Sequence, residues 1–182
     1  MTTDQKIQIW VAIGTWLSAI GTLAAVVVAL YLSLHTKRIK LRLRAGRYEI
    51  ILGNGLRTEK VVSFEVVNLG DRNVTIVSGG WAVGKGEKRK YCIQPVSGMN
   101  TSQYPIELAH GKSAHFMVSL MAAPTWFKHL ALDFIEDLSD ENLGTLVAQV
   151  HTSIGETVEA KPAKAILDEL KKYRTDESED KS

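Results

Sequence analysis

The sequence predicts a mainly β protein: one N-terminal transmembrane helix, then an antiparallel β-sandwich carrying one or two short helices. Three observations predict it. Residues 7–34 contain no charged side chain. From residue 40 to 162, short runs rich in Val, Ile, Phe and Tyr alternate with Gly, Asn, Asp and Pro. No helical period appears before Pro124, so no crossover helix is available to build a parallel sheet.

The apolar run IQIWVAIGTWLSAIGTLAAVVVALYLSL exceeds the roughly 20 residues needed to cross a hydrocarbon core. Trp10 and Tyr31 stand near its ends, where amphipathic rings favour the headgroup layer, so the buried part is expected over residues 10–32. A basic flank follows at residues 37–47, with Lys37, Arg38, Lys40, Arg42, Arg44 and Arg47. The N-terminal side offers only Lys6 and the terminal amine, and this asymmetry predicts a single-pass protein with its C-terminal domain in the cytoplasm. A cleaved secretory signal is the rival reading. Against it stand the length of the run, the position of the cations after it, and the lack of a clear Ala-x-Ala site.

Gly14, Ser18, Gly21, Ala25 and Ala29 recur at spacings of three and four, forming a narrow stripe of small residues. Such a stripe permits close helix approach in lipid, and with it a homo-oligomer through the transmembrane helix. Small residues are also common in membrane helices that do not pair.

In the soluble part, residues 40–44 and 48–52 read as strands, followed by the turn Gly53-Asn54-Gly55. VVSFEVVNLG then puts Val62, Phe64 and Val66 on one face, and Gly70-Asp71-Arg72-Asn73 is expected to turn it back as a hairpin into VTIV. Further strands are expected at residues 80–83, 90–94, 106–108, 114–120 and 145–154, with TVEA after the Gly155-Glu156 turn. Phe127, Leu130, Ala131, Phe134 and Leu138 mark a short helix led by Pro124. The sandwich is expected over residues 40–162, a second helix over 163–174, and a disordered polar tail over 175–182.

VVNLGDRNVTIVSGGW and VHTSIGETVEAKP, behind an anchor and a basic flank, resemble small bacterial or prophage-type single-pass membrane proteins with a soluble β domain. The strand-turn-strand phrase also resembles immunoglobulin-like sandwiches. The resemblance implies a bacterial inner-membrane setting and an immunoglobulin-like fold, and it supplies no catalytic residue.

Chemistry-bearing patterns are sparse. The five histidines lack metal-ligand spacing, and Cys92, alone, reads as a small hydrophobe in a strand. Glycines 79, 80, 84 and 86 are not followed by a helix start that would aim amides at a phosphate. The cluster Lys85, Lys88, Arg89 and Lys90 lacks interleaved aromatics, so no nucleic-acid partner is expected. No cofactor or metal is expected either. The long polar loop 95–105, with Ser97, Met99, Asn100, Gln103 and Tyr104, is the first choice for a recognition surface, and a plain connector between sheets is its alternative. The expected function is a non-enzymatic binding or scaffold module, with membrane lipid and a protein as partners. The alternative is a tethered sensor or enzyme whose pocket gathers His110, His115, Asp71 and Tyr104.

Overall fold

The computed structural model describes residues 3–35, 39–52, 57–97 and 101–179, and it divides into two compact units, Met1–Arg38 and Ile39–Ser182. Of the residues singled out above, Lys37, Arg38, Met99, Asn100 and the turn 53–55 lie outside the described residues.

The first unit is the helix α1, Thr3–His35. An 18-residue window within its stretch Thr3–Leu32 reaches a mean hydropathy of 2.0, and this is, among the described residues, the one helix long and apolar enough to cross a membrane. The Thr15 hydroxyl donates to the Val11 carbonyl and the Thr22 hydroxyl to that of Ser18, each at 2.9 Å, so both polar groups are satisfied inside the helix. Trp10, Trp16 and Leu17 are exposed, and a Cβ added at Gly14 or Gly21 would meet no neighbour.

The second unit is β-rich. Its strands are β1 (Leu41–Leu52), β2 (Arg57–Asn68), β3 (Val74–Val83), β4 (Lys90–Ile93), β5 (Ile106–Leu108), β6 (Ser113–Ser119), β7 (Val147–Thr152) and β8 (Thr157–Ala160). One antiparallel sheet has the order β1-β2-β6 and the other β4-β3-β7-β8, with β5 paired to the first half of β3. Alternation sends Leu43, Ala45, Val62, Phe64, Val66, Ala114 and Phe116 inward from one sheet, against Val74, Ile76, Trp81, Val83, Ala148 and Val150 of the other. At the centre the Phe64 and Trp81 rings lie 5.0 Å apart. The indole N–H of Trp81 is buried without a partner among the described residues. Its neighbour Gly80 cannot be replaced without a shift, because a Cβ there would fall 1.9 Å from the Cys92 carbonyl oxygen.

Several expectations change. Residues 41–52 form one strand, not two, and so do residues 74–83, where separate strands are expected at VTIV and at 80–83. In the first, Gly46 keeps the pairing continuous, and the Tyr48 ring lies close to where a Cβ on Gly46 would be. The Gly70–Asn73 turn makes no hairpin, since β2 and β3 belong to different sheets. Buried Asn68 sets that arch: its Nδ2 donates to the carbonyls of Arg72 (2.7 Å) and Leu108 (2.8 Å), and its Oδ1 accepts from Gly70 N–H at 2.9 Å. The single helix expected after Pro124 is broken into α2 (Trp126–His129), a π-helical turn (Leu130–Ile135) and α3 (Asp140–Leu143). The Glu136 N–H reaches back five residues to the Ala131 carbonyl, and this wider turn puts Ile135 inside while Phe134 moves to the flank.

Helix α4, Lys164–Glu179, buries Ile166 and Leu170 in the same core and runs five residues into the segment expected to be a disordered tail.

Candidate binding surfaces

The described parts of the loop, residues 95–97 and 101–105, form a strap. Ser97 N–H donates to the Met117 carbonyl (2.9 Å), Ser119 N–H to the Ser97 carbonyl (3.1 Å), and Ser102 N–H to the His115 carbonyl (2.8 Å). These bonds cover the outer edge of β6, which would otherwise offer unpaired backbone groups. The chain thus leaves β4, crosses to the other sheet, and returns as β5 to the same edge of β3. Tyr104 stacks on Phe116 at 4.1 Å, and burial pushes its hydroxyl pKa up. Of the proposed recognition residues described, Ser97 and Tyr104 are therefore committed to the strap, and Gln103 remains exposed.

The four groups of the alternative pocket do not meet in one cavity. His110 Nδ1 lies 3.0 Å from the Gly70 carbonyl and 3.9 Å from Asp71, His115 stands on the outer face of β6, and Tyr104 is inside. Other concavities lie on the β-rich unit. One, of about 180 Å3, lies on the solvent face of the three-stranded sheet, lined by Tyr48, Ile50, Val61, Ser63, Glu65, His115 and Met117. Another, of about 360 Å3, is polar and lies between the β3–β4 turn and residues 137–145. There Lys85 and Lys88 face Asp137 and Glu141. Its wall is tied by Gly84 N–H to the Thr145 hydroxyl (2.7 Å) and by that hydroxyl to the Asn142 carbonyl (2.6 Å). Glu136, at φ 61°, adopts a left-handed conformation unusual for a side-chain-bearing residue, and it pairs with Lys90 at 2.6 Å.

No protein-family model and no curated protein matches this chain. Among solved structures it is similar to a crystal structure of the protein designated ApaA from Bordetella pertussis, with 10% identity and a TM-score of 0.32, over 70% of this chain and 91% of that one. A likeness at that level transfers nothing to the residues described here.

The basic flank divides by strand parity. Lys40, Arg42 and Arg44 are exposed, whereas Arg47 turns the other way, bonds Glu169 of α4 at 2.6 Å and lies over the Phe127 ring. Lys172, with Arg47 beside it, holds the Glu169 carboxyl below the usual glutamate range. Arg47 is thus a clasp for α4, and it leaves the flank expected from the sequence.

On the outer face of the second sheet, Arg89 lies over the Tyr91 ring at 5.4 Å and bonds Glu159 at 2.6 Å, and Gln149 donates to the same carboxylate at 2.7 Å. The hydrogen bond from Arg89 is the main reason the Glu159 pKa lies low. At the edge, Gln94 N–H donates to the Gly79 carbonyl at 2.8 Å. By antiparallel alternation Cys92 and Lys90 then face β3, and the backbone groups of Tyr91 and Ile93 point off the sheet. Both side chains are prominent, 63% and 72% exposed. Cys92 is half-buried, which pushes its thiol pKa up, away from a reactive thiolate. Among the described residues, no group of three or more His, Cys, Asp or Glu is arranged to hold a metal.

Proposed function

We propose that this chain is a single-pass inner-membrane protein whose cytoplasmic, immunoglobulin-like sandwich is a binding or scaffold module. The observation that carries the reading is α1. It holds an uncharged apolar run from Ile7, its 18-residue apolar window has none of its residues buried, and it forms a unit separate from Ile39–Ser182, which has its own core. Exposed Leu, Val and Trp on this scale call for a lipid environment. The basic flank after the helix supports the cytoplasmic side.

Strand order supports the immunoglobulin-like reading. Lettered A, B, C, C′, D, E, F and G in chain order, the strands fall into A, B, E on one sheet and C′, C, F, G on the other. Buried Trp81 on the third strand occupies the position of the core tryptophan of such domains, here against Phe64 and not against a disulfide. The fifth strand departs from the pattern by pairing with the third.

The recognition surface that fits a protein partner best is the β4 edge. An exposed Tyr with an Arg lying over it, next to an exposed Ile and backbone groups that point off the sheet, combines anchor side chains with a strand edge open to addition. The Lys85–Glu141 cavity favours a second reading, a small-molecule sensor, which thermal-shift screening of charged metabolites would test.

The deciding experiment compares the full-length, C-terminally tagged chain with a variant lacking residues 1–36. The full chain is expected to resist alkaline extraction from membranes, and the truncated one to be soluble. A partner held by both forms and lost on Tyr91→Ala with Ile93→Asp would support recognition by the domain. A shortened, exported product would overturn the anchor.

A further inference from the structure

We propose that the solvent face of the β1-β2-β6 sheet docks on the headgroups of an anionic bilayer, resting on the membrane-anchor reading above. Alternation along β1 puts Arg42, Arg44, Tyr48 and Ile50 on this one face. Arg42 has no carboxylate partner among the described residues, and Arg44 meets Glu65 only at 3.8 Å with its side chain 63% exposed. The cations gather at the end of the strand where the chain enters, with Arg42 eight residues after Leu34 closes the apolar run. Next along the strand comes the apolar concavity of Tyr48, Ile50, Val61 and Met117. Cations beside an aromatic and aliphatic hollow on one face offer phosphate contacts together with a partly apolar surface, the two chemistries of a headgroup layer.

Two carboxylates share the face: Glu65, between Arg44 and His115, and Glu59, which is buried at the far end. Lys40, on the same parity, leaves cations in excess near the entry. On the outer face of the other sheet, by contrast, Arg89 is bonded to Glu159 at 2.6 Å. Charge complementarity and the short chain length from the apolar helix therefore select a lipid surface over a soluble acidic partner.

The test uses the full chain in nanodiscs of phosphatidylcholine, with and without about 30% phosphatidylglycerol to mimic an anionic leaflet. In a Cys92→Ser background, a nitroxide is placed at Ser113→Cys, in the row Arg42–Val67–Ser113, or at Thr157→Cys on the other sheet as control. Collision of the Ser113 label with a water-soluble nickel chelate is expected to fall on the order of tenfold in anionic discs and to return with Arg42→Glu plus Arg44→Glu. The Thr157 label is expected to stay accessible throughout. Equal accessibility at residue 113 in both lipids, or protection that survives the double charge reversal, would overturn the docking while leaving the anchor intact. Failure of the chain to enter the discs at all would instead overturn the anchor, and the docking with it.

Discussion

The two sheets obey the same alternation but treat their outward-facing cations differently. On β3-β4-β7-β8, Arg89 finds Glu159 across the sheet, with Gln149 on the same oxygen and Tyr91 beneath the guanidinium. On β1-β2-β6, Arg42 and Arg44 point to water, and the carboxylate within reach of Arg44 is only loosely paired. A surface whose charges are internally matched is stable by itself, whereas one whose charges are left over is available to something outside. Substitutions that separate the shared interior from the two exteriors should therefore differ widely in cost.

The largest effect belongs to the contact that joins the sheets. Trp81→Ala removes the ring packed between Phe64 and Trp126 and is expected to destabilise the domain by about 3–5 kcal/mol in urea unfolding. Trp81→Phe should cost far less, about 1 kcal/mol, because it keeps a ring and deletes an N–H that has no partner among the described residues. Equal losses for the two variants would mean that the N–H is satisfied by a group such as a buried water.

Next comes the arch that allows β2 and β3 to enter different sheets. Asn68→Ala leaves the carbonyls of Arg72 and Leu108 and the amide of Gly70 without their partner, and about 2–3 kcal/mol should be lost. This site also marks where sequence reasoning failed. Gly70-Asp71-Arg72-Asn73 reverses the chain in a hairpin or an arch alike, and the choice rests on a side chain whose partner Leu108 lies 40 residues away. Strands fixed by local alternation and turns were legible, including residues 106–108 and 157–160. The π turn was not, because an amphipathic spacing of three and four cannot register one inserted residue. Of the candidate site, Arg42 and Arg44 were legible as part of the charge run after the apolar segment, and the strand pairing adds which of its cations face solvent. The departure of Arg47 toward Glu169, and the use of Ser97 and Ser102 to cover β6, depend on contacts 122 and 13 to 22 residues apart, which no local pattern carries.

Smaller again is the clasp on α4. Arg47→Ala is expected to cost about 1 kcal/mol, since the pair with Glu169 is only partly buried and the guanidinium also covers Phe127. Hydrogen exchange should rise first in Lys164–Glu179, leaving the β2 and β3 amides unchanged.

The smallest effects contrast the outer faces directly. Because the folded Glu159 pKa lies below that of the unfolded chain, the unfolded state takes up more protons as pH falls through the carboxylate range. The stabilisation is thus complete above the unfolded glutamate pKa and is lost as pH drops through the folded one. With a side chain 39% exposed, solvent screening limits this to about 0.5 kcal/mol. Arg89→Ala should remove that acid-side slope, read from urea midpoints across the acid range. Arg42→Ala with Arg44→Ala should leave both slope and midpoint within about 0.5 kcal/mol, as expected of exposed cations without a committed partner. A comparable loss of stability at Arg42 and Arg44 would mean that their charges are used within the fold, and the difference between the two faces would disappear.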